Sequence, residues 1–226
     1  MVYGPVWSIE IHSREGSFSF MLNLKIIFVG LLFGACNFNP IQTDGVLTDI
    51  EWKDAEQNAV GDGNKVYLKL ENDKLYVALN SPKSFWAHLY LSDGKRIKVM
   101  HASAALGAIE YKESNSIWLT NDKSFVYDLR DSKFTNETAS KMEAYYSRHR
   151  WVANNNNLGD RKTIEARIDL DGFDVRYFAC VIATPDKLYP YPVELTDDAV
   201  LTRLVQGYAV DSLKFDPRLW RVISEK

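Results

Sequence analysis

Hydrophobic and polar positions alternate along most of the chain beyond residue 60, the period of two that marks a half-buried β-strand. In Lys65-Val-Tyr-Leu-Lys-Leu70 the residues Val66, Leu68 and Leu70 share one face. After an Asn72-Asp73 turn signal, Leu75, Val77 and Leu79 repeat the pattern, so 65–79 reads as a hairpin. Phe85 to Leu91 is the next strand, and Ser92-Asp-Gly-Lys95 turns the chain back along Arg96 to Ala102. Further strands are predicted over 108–112, 117–120, 125–130, 163–170 and 176–183. Within Thr163–Leu170, Ile164, Ala166, Ile168 and Leu170 face one way; Thr163, Glu165, Arg167 and Asp169 face the other, as a half-wet stripe. Two helices interrupt the strands. Glu137 to His149 places Met142, Tyr145, Tyr146 and His149 at helical spacing, and Thr196 to Leu204 opens with Thr and acidic residues that suit an N-cap and the helix dipole. Asn154 to Asn157, followed by Gly159-Asp160, reads as a loop. Many short strands with tight turns predict an all-β chain: an antiparallel, jelly-roll-like β-sandwich with one or two added helices.

The first 36 residues follow a different rule. Met21-Leu-Asn-Leu-Lys25 is a short positive start. Ile26 to Phe33 is an apolar run too short to span a bilayer, and Gly34-Ala35-Cys36 ends it with small residues before a thiol. This resembles the bacterial lipobox, with Phe33 standing where Leu is usual. The resemblance implies a signal peptide over 21–35, a lipidated Cys36 and a short leader over 36–42. Residues 1–20 carry Glu10 and Glu15, unusual ahead of an apolar signal, so translation is expected to start at Met21. The plainer alternatives are an unlipidated secretory signal or an N-terminal strand. Residues 43–226 are then expected to form one β-sandwich domain with a C-terminal extension.

Composition narrows the partners. A net charge of −3 carries no basic excess for nucleic acid. Aromatic residues make up 13%, with twelve Tyr and six Trp, which suits a β-rich core and flat binding surfaces alike. The two cysteines imply no disulfide framework; with Cys36 acylated, Cys180 in its apolar run is read as a buried, inert thiol.

Thr43-Asp-Gly-Val-Leu-Thr-Asp-Ile-Glu-Trp-Lys-Asp-Ala55, followed by Asn72-Asp-Lys-Leu-Tyr-Val-Ala-Leu79, resembles the opening of family 9 carbohydrate-binding modules and the wider DOMON-like β-sandwiches. The match covers roughly 43–100. It implies that Asp44-Gly45 turns the chain into the first strand, that Trp52 plugs one end of the sandwich, and that Leu75 and Val77 form the layer beneath. It also implies sugar binding by stacked aromatics, sometimes with structural calcium. Asp44, Asp49, Asp54 and Asp62 are the acidic residues open to that ion, though they are scattered and turn and surface positions are the better account of them.

Strand alternation selects the first candidate surface. With Phe85, Ala87, Leu89 and Leu91 inward, Trp86, His88 and Tyr90 point outward together, and the neighbouring hairpin turns Tyr67, Lys69 and Tyr76 outward by the same rule. Sugar C–H faces stack on such rings while hydroxyls bond to His or Lys. The competing expectation is that helix 137–149 covers this face as a second core. A second candidate rim is Arg148-His-Arg-Trp151 beside the Asn run, for which a solvated helix terminus is the simpler account. Some DOMON-like relatives hold haem through axial Met, His or Lys; here adjacent Met100 and His101 point to opposite faces, and His88 has no evident second ligand. No Cys/His metal cluster, nucleophile elbow or phosphate loop is present in the sequence. Glu165 and Asp169 share a strand face with Arg167 between them, a poor glycosidase pair. The expectation is a non-catalytic, lipid-anchored envelope protein that binds carbohydrate, the alternative being an envelope scaffold that meets a protein partner. Asn37 after the cysteine favours the outer membrane.

Overall fold

The computed structural model describes residues 41–103, 105–120, 128–129, 136–155, 162–173, 176–195 and 210–224. The expected signal segment, Cys36, the leader up to residue 40 and the helix at 196–204 lie outside the described residues. Residues 38–226 form one compact unit.

Two antiparallel sheets face each other. The first holds β1 (Glu56–Ala59), β2 (Lys65–Glu71), β3 (Lys74–Asn80), β9 (Trp151–Asn155) and β10 (Thr163–Asp169) in the order β1-β2-β3-β10-β9. The second holds β4 (Trp86–Ser92), β5 (Arg96–Ala102), β6 (Ala105–Ser114), β7 (Ile117–Thr120), β11 (Tyr177–Ala183), β12 (Leu188–Tyr191) and β13 (Ser212–Leu213) in the order β12-β11-β4-β5-β6-β7-β13. Beside them, β8 (Asp128–Leu129) pairs with β6 and β14 (Arg221–Val222) pairs with β11. This is the expected antiparallel sandwich with one added α-helix among the described residues, α1 (Asn136–His149).

The alternation explains the layers. Val66, Leu68, Leu75, Val77, Leu79, Ile164, Ala166 and Ile168 of the first sheet meet Ala87, Leu89, Leu91, Met100, Phe178, Cys180 and Ile182 of the second in one core. Each fully buried aliphatic side chain contributes about 1.5–3 kcal/mol. Turn chemistry sets the register. Asn72 and Asp73 sit at φ 50° and 56°, as a two-residue hairpin turn requires. At the next hairpin the Asp93 carboxylate accepts the Lys95 and Arg96 N–H groups at 2.9 and 2.8 Å.

Two further cores lie outside the sandwich. Residues 41–55 form a strap over the outer face of the first sheet, where Ile41 and Trp52 pack with Tyr76 and Ala78. On the outer face of the second sheet, Leu195, Leu213 and Trp220 pack with Tyr90, Ile97, Val99, Ile109 and Val181, and Phe215 joins them. Both outer faces are therefore covered.

Helix α1 does not lie on the Trp86 face. Its Tyr145 and Tyr146 join the inter-sheet core, the Arg167 guanidinium lies 3.9 Å from the Tyr146 ring centre, and Lys98 Nζ donates to the His149 carbonyl at 2.7 Å. A lysine at a helix C-terminus is favourably placed. Its burial nevertheless pushes the ammonium down to about 8, an effect that Glu110 opposes. Arg150, at φ 60°, ends the helix; its N–H donates to the Tyr146 carbonyl and its guanidinium pairs with Asp169 at 2.8 Å.

Candidate functional site

The structure separates the residues of the expected aromatic platform. Trp86, His88 and Tyr90 belong to the second sheet; Tyr67, Lys69 and Tyr76 belong to the first. They face outward on opposite sides of the sandwich and cannot line one surface. Nor is either face wet. Tyr90 is 0% exposed, with Phe215 and Trp220 edge-on at 5.8 Å, and burial holds its hydroxyl above the ordinary phenol range. His88 is 1% exposed and its ring lies 4.8 Å from that of His101, its cross-strand neighbour. Trp86 is half-buried against the same core. Coverage of this face was foreseen, but the cover is the C-terminal segment rather than α1.

The first-sheet residues are held by the strap. Trp52 meets Tyr67 edge-on at 6.2 Å, Tyr76 is buried, and Lys69 Nζ donates to the Glu51 carbonyl at 3.4 Å. Trp52 thus packs on an outer sheet face instead of plugging an end. Asp44-Gly45 belongs to the strap rather than to a first strand. At its centre is Glu165, expected to be wet and found 0% exposed. One carboxylate oxygen accepts the Asp44 and Gly45 N–H groups at 3.1 and 2.9 Å; the other accepts the Trp52 indole N–H at 2.8 Å. Burial pushes this carboxyl up to about 8 against the pull of those donors. Asp169 is likewise committed, to Arg150 and the Tyr146 hydroxyl, so the stripe is not a solvated one.

The second candidate rim also dissolves. Trp151 is 0% exposed in the inter-sheet core, edge-on to Tyr145 at 5.8 Å, and Asn154 and Asn155 are buried in β9 where a loop was expected. Arg148 remains exposed, with Nε donating to the Ala144 carbonyl one turn back at 3.3 Å. The aspartates considered for calcium do not converge: among the described residues no three metal-ligating carboxylate, imidazole or thiol groups cluster. Asp44 accepts the Val46 N–H, and Asp62 binds Lys187 and the Tyr189 hydroxyl.

Besides a cleft of about 510 Å³ between Asp93-Gly94 and Phe215–Arg218, open concave surface lies along the side of the sandwich where edge strand β1 faces β12 and β14. Arg221 reaches across this seam to Glu56 at 2.7 Å. On one side of the pair is a cleft of about 510 Å³, with Asp54, Lys69, Glu71 and Val222 in its walls. Farther along β1 is a second cleft of about 470 Å³, between Ala59-Val60 and the run Lys187–Glu194. Tyr191, half-buried, lines the second cleft, and its hydroxyl feels the charges of both Glu56 and Arg221. Burial raises that hydroxyl to about 12, so it is a neutral donor at physiological pH. The rim is completed by Val193, 70% exposed, and by the Asp62–Lys187 pair at 2.9 Å. The sequence had marked Lys69, Asp54 and Asp62, each for a site other than this one, but not Glu56, Tyr191 or Arg221. The available signal was Tyr189-Pro-Tyr-Pro192, whose prolines mark an edge strand.

No family model, curated protein or solved structure matches the chain.

Proposed function

We propose that this chain is a lipid-anchored cell-envelope protein whose β-sandwich captures carbohydrate without transforming it, and that the β1/β12/β14 seam is where the sugar sits. The observation that carries this is the half-buried Tyr191 ring in a concave seam, flanked by an ion pair that offers both donors and acceptors. A pyranose presents an apolar C–H face to a ring and hydroxyls to charged groups. Binding is favoured over hydrolysis because Glu56 and Asp62 are each held by a cation, whereas a glycosidase needs two convergent, differently protonated carboxyls.

The anchor reading rests on Gly34-Ala35-Cys36 after the apolar run, with the outer membrane favoured by Asn37. From Cys36 to Asp44 is eight residues, at most about 28 Å of extended chain, which holds the sandwich close to the bilayer.

Affinity electrophoresis of the purified lipoprotein through gels containing individual polysaccharides tests this. Retardation by at least one polysaccharide, lost in Tyr191→Ala, is expected. Unretarded migration in every gel, together with a stoichiometric protein co-purifying on the seam, would move the assignment to an envelope scaffold.

A further inference from the structure

Resting on that reading, we propose that the seam is a two-subsite groove for an extended, uncharged glycan, with the Glu56–Arg221 pair forming the floor between the subsites. The first cleft, about 510 Å³, holds the Glu56–Arg221 pair in its wall, and Tyr191 in the second, about 470 Å³, feels the charge of both partners. On β11, Arg221 pairs opposite Phe178 and Tyr191 opposite Cys180, so they are neighbours along one edge of the second sheet. Across from them, β1 runs from Glu56 at the first cleft to Ala59 at the second. A single sugar ring fills one side; a chain crosses both.

Charge sets the ligand class. Three of the seam's cations are matched by carboxylates, Arg221 by Glu56, Lys187 by Asp62 and neighbouring Lys83 by Asp186, while Lys69 donates to the Glu51 carbonyl. Asp54 and Glu71 add negative charge to the first cleft. With Glu56, these set three carboxylates against Lys69 and Arg221, a net negative wall that repels a uronate or sulfated glycan and leaves a neutral one unaffected. Hydroxyls suit the bridging pair, because a carboxylate accepts and a guanidinium donates in one plane. An extended peptide would bind by adding a strand, but β1 is only four residues long and β12 carries Pro190, which removes an edge N–H.

The test is calorimetric titration of the purified lipoprotein with neutral oligosaccharides of one to six units, drawn from the polysaccharide that retards it. Uronic-acid oligosaccharides and a proline-containing peptide serve as competitors. Affinity should rise at least tenfold between one and four units and then level off. Glu56→Gln and Arg221→Lys should flatten that rise, weakening four units more than one, with the melting temperature near wild type. Tyr191→Ala should weaken every length. Equal affinity for one unit and four overturns the two-subsite groove but leaves a sugar site at Tyr191. Preference for the uronic-acid series, or displacement by the peptide, overturns the ligand class. Binding that ignores all three substitutions, or no binding by any oligosaccharide, overturns this inference and the function it rests on together.

Discussion

The indole N–H of Trp52 donates to the Glu165 carboxylate at 2.8 Å, joining two residues 113 positions apart. That bond fixes the strap to the sheet. Glu165 also takes the N–H groups of Asp44 and Gly45, where Gly45 stands at φ 82°, so the carboxylate organises the whole Asp-Gly…Trp pattern noticed in the sequence. Glu165→Ala leaves three donors without their acceptor. At about 1–3 kcal/mol for each buried donor stranded, a net loss of about 2–4 kcal/mol is expected, since Asp44 and its neighbours partly rehydrate. Glu165→Gln keeps one acceptor oxygen and should lose about half as much. Urea denaturation midpoints decide it; a Glu165→Ala midpoint equal to wild type would mean the strap is held by apolar contact alone.

The same carboxyl makes stability depend on pH. Burial is the largest influence on it, Asp44 and Glu51 push in the same direction, and its folded value stands near 8 against about 4.3 in an unfolded chain. Between those values the folded state binds the extra proton. The contribution of Glu165 is therefore complete below about pH 4.3 and is lost as pH rises through 8. Wild type should lose stability relative to Glu165→Gln across pH 5 to 9 when both are unfolded in urea. Parallel pH curves would show that the three N–H donors keep the group ionised throughout.

Tyr90 tests the covered face. It is enclosed by Phe215 and Trp220, and its hydroxyl finds no hydrogen-bond partner among the described residues. Tyr90→Ala should cost about 3–5 kcal/mol, as large-to-small changes in aromatic cores do. Tyr90→Phe should shift stability by less than about 1 kcal/mol. Neither Tyr90→Phe nor Trp86→Phe should alter retardation by polysaccharide. Reduced retardation in either, at unchanged melting temperature, would return the binding surface to β4.

Much of the fold was legible because period-two alternation is a local property. Val66 to Leu70, Leu75 to Leu79 and Ile164 to Ile168 each declare a buried face, and Asn72-Asp73 and Ser92-Asp-Gly-Lys95 declare the turns. What alternation cannot declare is which sheet a strand joins. It put Tyr67, Tyr76, Trp86 and Tyr90 outward correctly, but β3 pairs with β10 and β4 with β11, which sends the two sets to opposite sides. Nor does the period say whether an outward face stays wet. Glu165 and Tyr90 look solvent-facing from their neighbours and are sealed by the strap and the C-terminal segment, far away in sequence. The seam was illegible for a related reason: Glu56, Tyr191 and Arg221 come from three short edge segments that only the closed sandwich aligns.

A local turn offers a clean stabilising change. Asn115 and Ser116 link β6 to β7 with φ 52° and 63°, both left-handed. Asn tolerates that region, whereas for most non-glycine residues it costs about 1–2 kcal/mol. Ser116→Gly should raise stability by about 0.5–1 kcal/mol, the relieved strain being partly offset by glycine's freedom when unfolded. Ser116→Val should lower it by about 1–2 kcal/mol. A glycine variant less stable than wild type in thermal melts would show that Ser116 holds its neighbours in a way that outweighs the strain.

Cys36 carries the last expectation. The apolar run before it is too short to cross a bilayer, and among the described residues no helix is long and apolar enough to do so. On the proposed reading, membrane attachment rests on acyl chains at this thiol. Each buried methylene is worth about 0.8 kcal/mol, and one chain holds a protein only marginally, so firm attachment needs two or more. Cys36→Ser should move the protein from the membrane pellet to the soluble fraction and abolish labelling by a radioactive fatty acid. The sandwich should melt at its wild-type temperature, because the described residues from Ile41 on already supply three packed cores. A Cys36→Ser protein that still pellets with membranes, through high-salt and carbonate washes, would require an anchor other than the thiol.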